Sequence, residues 1–292
     1  MRAYAFLALP LLAIAACQRA DVPAQANTDD FGDPIIRKAA PRRVVSLNPA
    51  TTDLVFALGA GGRLVGRTHW DLYPEEARAV PDLGSGLRPN VEAVLGARPD
   101  LVILYASNDN RAAATELRAS GVNTVSLKID HIADFDRAVR LIAILLGDSA
   151  RGPAVADSVM RTLRRVGEAT ASLPKPTVFW HIWDAPLITI ASGSYMNELI
   201  DIAGGRNIYR ELPDASPAVS IEDVLKHDPQ YIITGPEGAA KIARDPRWSQ
   251  SSAVKRRRIL VVDTAIVGRP SVRLGEAALS LAQLLHPGAV RR

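Results

Sequence analysis

Cysteine is almost absent: Cys17 is the only one in 292 residues. A single cysteine excludes any internal disulfide, so the fold must rest on its apolar core. Histidine is sparse as well. His69, His131 and His227 are scattered and form no cluster for binding zinc or manganese, which needs several converging His and carboxylate ligands. No HExxH, GxSxG or P-loop pattern occurs. The glycines between positions 59 and 62 follow a helical segment instead of opening one, so a dinucleotide fingerprint is missing. Together these absences argue against an enzyme. Charge of one sign is also lacking, since 35 Lys and Arg face 31 Asp and Glu for a net charge of +4. The densest basic run, Lys255-Arg256-Arg257-Arg258, precedes a strand-like segment and reads as a solvated turn; no nucleic-acid partner is implied. Aromatics make up only 5% of the chain, so the places where they gather carry information.

A hydrophobic fraction of 48% with 23% charged residues suits a globular protein with a real core. The length fits two lobes of roughly 100–150 residues each. The N-terminus is read first. After Met1-Arg2, residues Ala3 to Ala16 are apolar apart from the phenol of Tyr4, which is the size of a signal-peptide core and too short to span a bilayer. Ile14-Ala15-Ala16-Cys17 resembles the bacterial lipobox, in which cleavage precedes the cysteine and its thiol is acylated. This gives a signal peptide at 1–16, lipidation at Cys17, and a chain exported and anchored at the periplasmic or extracellular face of a membrane. Residues 17–40 are polar, carry Pro23 and Pro34, and read as a flexible tether.

From residue 41 strands alternate with helices. Arg43–Leu47, Leu101–Tyr105 and Val122–Leu127 read as strands, Asn48–Asp53 as a turn leading into a helix that carries Leu54, Val55 and Leu58, and 91–97 and 111–120 as further helices. Such alternation predicts a covered, parallel-rich sheet. The segment from about 132 to 172 breaks this rhythm with two successive helices. The second has Val155, Val159, Leu163 and Val166 along one stripe, with Pro153 in its first turn. Alternation then resumes with strands at 177–182, 231–234 and 259–262, and a last helix runs over 272–285. The predicted fold class is α/β: two Rossmann-like lobes with central parallel-rich sheets, joined by one long α-helix, with a ligand cleft between them. The boundaries are 41–148 for the first lobe, 149–173 for the backbone helix and 174–292 for the second lobe. A helical connection predicts a stiff molecule with small opening and closing.

An internal repeat supports this division. Asn90-Val-Glu92-Ala-Val-Leu and Ser220-Ile-Glu222-Asp-Val-Leu each pair an N-capping residue with a short helix, followed by Pro99 or Pro229 and a buried strand. A second echo pairs Ala60-Gly-Gly-Arg63 with Ala203-Gly-Gly-Arg206. Glu92 and Glu222 thus occupy the same place in two lobes. Each stabilises its helix dipole by about 0.3–1 kcal/mol, and together they form matched anionic knobs suited to a two-fold symmetric partner.

The run Arg43-Val-Val-Ser-Leu-Asn48-Pro49-Ala-Thr-Thr-Asp53-Leu, the segment Asn90–Ile103 and its repeat resemble the helical-backbone (class III) periplasmic binding proteins of ABC importers. That family serves cobalamin, haem and ferric siderophores, and the chain looks most similar to the vitamin B12-binding branch. The resemblance covers about residues 41–286. It implies capture without catalysis and without a cofactor, by a monomer that delivers a metal chelate to a permease dimer with its ATPase subunits. It also implies that Glu92 and Glu222 dock onto the permease. One departure bears on the ligand. Relatives in the B12 branch commonly carry a tryptophan before the first glutamate motif, where this chain has Leu83–Asn90 with Arg88, so siderophore and haem stand as alternatives. A ligand-sensing lipoprotein is the reading from another class.

In α/β lobes ligands sit beyond the C-terminal ends of parallel strands. The candidates there are Asn48, Pro49, Trp70, Tyr73, Arg88, Tyr105 and Ser107 in the first lobe, and His181, Trp183, Tyr195 and Arg269 in the second. Trp70, Tyr73 and Trp183 offer aromatic walls for a flat macrocycle. His181 is a candidate axial metal ligand. Arg88 and Arg269 are suited to carboxylate or catecholate oxygens.

Overall fold

The computed structural model describes residues 27–37 and 39–290. The expected signal peptide and Cys17 lie outside the described residues. Two four-stranded sheets, each wholly parallel, form the centres of two lobes.

The first lobe begins with β1 (Val44–Leu47), every residue of which is buried. Asn48 then caps α1 (Pro49–Ala57) by accepting the Ala50 amide at 2.8 Å. The lobe continues through β2 (Leu64–Gly66), α2 (Val91–Gly96), β3 (Leu101–Tyr105), α3 (Arg111–Ala119) and β4 (Asn123–Leu127), giving the strand order β2-β1-β3-β4. Two helices with no strand between them follow: α4 (Ile132–Leu145) and the 20-residue α5 (Arg151–Thr170), about 30 Å long at 1.5 Å per residue.

The second lobe comprises β5 (Thr177–Trp180), a two-stranded hairpin of β6 (Trp183–Asp184) and β7 (Leu187–Ile188), α6 (Tyr195–Ile202), β8 (Arg206–Asn207), α7 (Ile221–His227), β9 (Tyr231–Thr234), α8 (Pro236–Arg244), α9 (Ser252–Lys255), β10 (Ile259–Val261), α10 (Thr264–Val267) and α11 (Leu274–Leu285). Its sheet order is β10-β9-β5-β8. Matched by position in each lobe, this is the first lobe's order again, with β5, β8, β9 and β10 taking the places of β1 to β4.

The repeat is reproduced in backbone detail. Asn90 and Ser220 each accept an amide three residues on, at 3.1 Å in both cases. Arg98 (φ 49°) and Asp228 (φ 40°) both take the left-handed conformation immediately before the repeat's proline. Non-glycine residues seldom adopt it, so its recurrence at one register reflects the same helix-to-strand reversal built twice. The second echo changes register. Gly59 and Gly204, at φ 74° and 78°, close α1 and α6 with the same pair of backbone bonds. Gly59, and not Gly61, is therefore the counterpart of Gly204.

α5 packs on α4 of the first lobe and on α6 and α11 of the second. Its buried stripe is Ala156, Val159, Leu163 and Val166. Close approach depends on two glycines: a Cβ on Gly152 would lie 2.8 Å from Ala143, and one on Gly275 would lie 2.8 Å from Thr162. One apolar cluster consequently runs from Leu54 and Ile142 in the first lobe through Leu163 to Leu199 and Leu281 in the second. The lobes share a core through the helix instead of swinging on a linker.

Part of the stretch read as a flexible tether is docked. The buried carboxylate of Asp29 accepts the Ser126 amide at 2.9 Å and pairs with Arg118, while Asp30 pairs with Arg137 and Asp33 with Arg118. Phe31 lies under the Arg111 guanidinium. Polar composition suggested a free linker, but these acids find partners along the edge of β4. Sequence reasoning also missed α8, whose start (Pro236, Glu237) and basic end (Lys241, Arg244) do carry helix signals. The strand expected over 177–182 ends at Trp180, because the chain turns there into the hairpin.

Candidate functional site

Both sheets are parallel, so the C-terminal ends of their strands gather the loops that line the space between the lobes. α2 and α7 each precede a parallel strand and run back against it. Their N-termini, with Glu92 and Glu222, therefore lie at this same end of the sheets. Both glutamates are exposed in the first turn. Glu92 has no hydrogen bond or ion pair among the described residues, and Glu222 lies near Arg247, whose pKa is raised chiefly by its hydrogen bonds to Asp245 and in small part by Glu222.

The exposed large apolar side chains concentrate at this end. Trp70 (62% exposed), Leu72 and Tyr73 follow β2, Leu87 precedes α2, and Ile182 and Trp183 (58% exposed) follow β5. Such exposure is expected of a binding surface. The hairpin explains why Trp183 differs from Trp180 three residues earlier. Trp180 ends β5 and is only 2% exposed within the core, whereas β6 carries Trp183 out, with the Lys241 ammonium 5.7 Å from its ring. In the first lobe, Gly86 passes so close to β1 that a Cβ there would meet the Leu47 carbonyl oxygen at 2.3 Å. Buried Asn110 fixes the same loop by donating to the carbonyls of Gly86 and Tyr105 and accepting from Arg88 N.

The remaining candidates divide by what they touch. Arg88 is exposed and pairs with Asp109 at 2.8 Å. Tyr105 donates to Asp130 at 2.6 Å, and burial together with that carboxylate pushes its phenol upward. The hydroxyl oxygen of Ser107 is buried and without a hydrogen-bond partner. Asn48 is occupied as a helix cap, with Pro49 as the first residue of α1. Tyr195 is buried, and its hydroxyl donates to the Val267 carbonyl at 2.9 Å. His181 is 3% exposed, with Nδ1 3.0 Å from Thr234 Oγ1 and Nε2 2.9 Å from Asp184, which in turn holds Lys241 at 2.7 Å. Burial holds the His181 pKa below its ordinary value. Both ring nitrogens are engaged, so His181 positions the Asp184–Lys241 pair under Trp183 and presents no free nitrogen to the cleft.

Several contacts cross between the lobes. Glu198 of α6 receives His131 at 2.6 Å and the Ile132 amide at 3.1 Å, and the Tyr195 amide donates to the Asp130 carbonyl at 2.5 Å. Arg269, between α10 and α11, reaches into the first lobe, where it lies 3.9 Å from Asp53 and 3.4 Å from the Trp70 carbonyl. Arg273 sits 4.6 Å over the Tyr73 ring. Asp53 escaped sequence reasoning because its place within α1 gives no hint that a residue 216 positions later lies opposite it.

A cavity of about 460 Å³ lies elsewhere, beside α7, lined by Tyr209, Leu212, Val219, Asp223 and His227; none of the cleft aromatics borders it. Among the described residues no three His, Cys, Asp or Glu side chains converge to hold a metal ion, and no helix is long and apolar enough to cross a membrane.

Residues 44–265 match the periplasmic binding protein family. The chain belongs to that family. It is 27% identical over 260 residues to an uncharacterised ABC transporter substrate-binding lipoprotein of Bacillus subtilis, covering 86% of this chain and 82% of the relative. It is 28% identical over 261 residues to a vitamin B12-binding protein of Pectobacterium carotovorum, covering 86% and 92%. Among solved structures, the periplasmic vitamin B12-binding protein of Vibrio cholerae superposes with a TM-score of 0.75 at 24% identity, covering 84% of this chain and 96% of that one. A periplasmic haem-binding protein of Pseudomonas aeruginosa gives 0.78 at 23% identity, covering 86% and 94%. The two-lobed α/β fold is thus shared across proteins named for different ligands. This member is a solute-binding protein of the kind that serves ABC transporters, and not an enzyme.

Proposed function

We propose that this chain is the substrate-binding lipoprotein of an ABC importer, anchored through acylated Cys17, and that it captures a corrinoid and delivers it to a permease dimer powered by ATPase subunits. The observation that carries the delivery role is the pairing of Glu92 and Glu222. They are exposed, lie in equivalent first turns of two lobes with the same strand order, and face the end of the molecule where the cleft opens. A monomer with two such knobs matches a two-fold partner, one lobe per subunit. Exposed Trp70 and Trp183, one from each lobe, supply apolar walls for a large flat ligand. With His181 closed off by Thr234 and Asp184, a macrocycle that carries its own axial ligands suits this cleft better than one that must take a ligand from His181.

The test of the ligand is a visible-absorption titration of the purified protein with cyanocobalamin, haemin and a ferric siderophore. A saturable change with cyanocobalamin at one equivalent is expected. Saturation with haemin or the siderophore alone would replace the corrinoid, and no response to any of the three would refute the ligand class. Anchoring is checked separately by radiolabelled palmitate in cells, with incorporation expected for the native chain and lost in Cys17→Ser.

A further inference from the structure

We infer that Asp53 and Arg269 form a proton-operated opening device between the lobes: ionised Asp53 drives the lobes apart, and protonated Asp53 lets them close. Asp53 is 1% exposed, and neither carboxylate oxygen has a hydrogen-bond partner. The one cation facing it directly, Arg269 of the other lobe, stands 3.9 Å away, with Nη1 also buried and unbonded. A buried carboxylate is normally accommodated by several donors. Asp71, its buried neighbour in the first lobe, shows the contrast: it accepts from both Thr52 and Thr68 hydroxyls at 2.5 Å and from the Thr68 amide at 3.2 Å.

The groups around Asp53 are Arg269, Ser271 and Arg273 from the second lobe, and Asp71 from the first. Arg273 is itself engaged by Glu276 and lies over Tyr73, with Asp263 nearby, and Tyr195 of α6 lies beside Arg269. Burial dominates this balance. It pushes Asp53 up to about 7, against the opposing pull of Ser271, which is near but outside hydrogen-bonding geometry, and of the two arginines, while Asp71 adds to the rise. The cross-lobe attraction therefore does not make up for taking the charge out of water. Arg269, Ser271 and Arg273 on one side of it belong to the second lobe, so separating the lobes opens that side to water and brings the carboxylate back toward an ordinary acid.

The sign follows from linkage. The closed form binds a proton that the open form has released, so raising the pH favours opening, by up to about tenfold per pH unit for a single proton. The Trp70–Tyr73 loop moves with this device, because Arg269 holds the Trp70 carbonyl and Arg273 lies over Tyr73. This inference concerns the chain's own closure and depends on neither the identity of the chelate nor the docking glutamates.

The experiment measures the distance between spin labels at Glu116→Cys and Glu237→Cys, exposed positions in opposite lobes, in the full chain with Cys17→Ser. The open-to-closed ratio is expected to rise about tenfold per pH unit between pH 5 and 7, and to change less than about twofold across that range in Asp53→Asn, which stays closed. Asp71→Asn, which neutralises the neighbouring carboxylate within one lobe, is expected to keep the slope with its midpoint moved down. Equal slopes in the parent and Asp53→Asn, or a slope lost in Asp71→Asn alone, would overturn the assignment.

Discussion

Two tryptophans three residues apart offer a sharp test of where the binding surface lies. Trp183 is 58% exposed and Trp180 is 2% exposed. A tryptophan side chain presents on the order of 200 Å², so about 120 Å² of Trp183 remains open to a ligand. A flat ligand covering one face removes about half of this from water, worth roughly 1.5 kcal/mol at ~25 cal/mol/Å². Trp183→Ala should weaken ligand binding about tenfold. Trp70, exposed to a similar degree on the other lobe, should behave alike. Since the two do not touch, the double variant should lose about 100-fold. Thermal unfolding of these variants should stay within ~0.5 kcal/mol of the parent. Trp180→Ala should do the reverse, costing ~3–5 kcal/mol of stability by opening a core cavity. Equilibrium titration and calorimetry on the same preparations separate the two effects. Binding unchanged within about threefold in the double variant would refute the aromatic cleft, since 100-fold is the loss worked from these areas.

Charge reversal of both first-turn glutamates, Glu92→Arg with Glu222→Arg, should abolish uptake in cells while ligand affinity stays within about twofold, because neither is among the residues proposed to line the cleft; undiminished uptake would refute the proposed docking role. Leu163→Ala should cost ~2–5 kcal/mol in denaturant unfolding, since this residue joins the two halves of one core. Asp53 has a folded pKa raised from 3.8 to about 7 by burial. Its stabilising contribution is therefore fully present below pH 3.8 and is lost as the pH rises through about 7. Asp53→Asn should flatten that decline, and denaturant midpoints from pH 4 to 8 will show whether it does.

The local elements were legible because their patterns are local. The β-branched run of β1 and the capped Glu92 and Glu222 helices each announce themselves within a dozen residues, whereas Asn48–Asp53, read as a turn, proves to be the cap and first turns of α1. The apolar stripe of α5 and the break in strand–helix alternation placed the connecting helix from sequence alone. The repeat pointed to two similar lobes, and the structure adds that they share one strand order. By contrast, the register of the Gly59–Gly204 echo needed backbone dihedrals, since Gly59 and Gly61 look alike in sequence and only Gly59 takes the left-handed turn.

What sequence by itself determined, then, is two α/β lobes, the helix between them and the recurrence of a glutamate in the first turn of a short helix in each lobe, all of which rest on residue type and spacing. Tertiary structure alone decided which side chains meet. It buried His181 between Thr234 and Asp184, carried Trp183 into the open on a hairpin, docked Asp29 against β4, and set Arg269 opposite Asp53. Each of these depends on partners 3 to 216 positions away. Burial and charge pairing are set by which distant segments the packing brings together, a property no local pattern records.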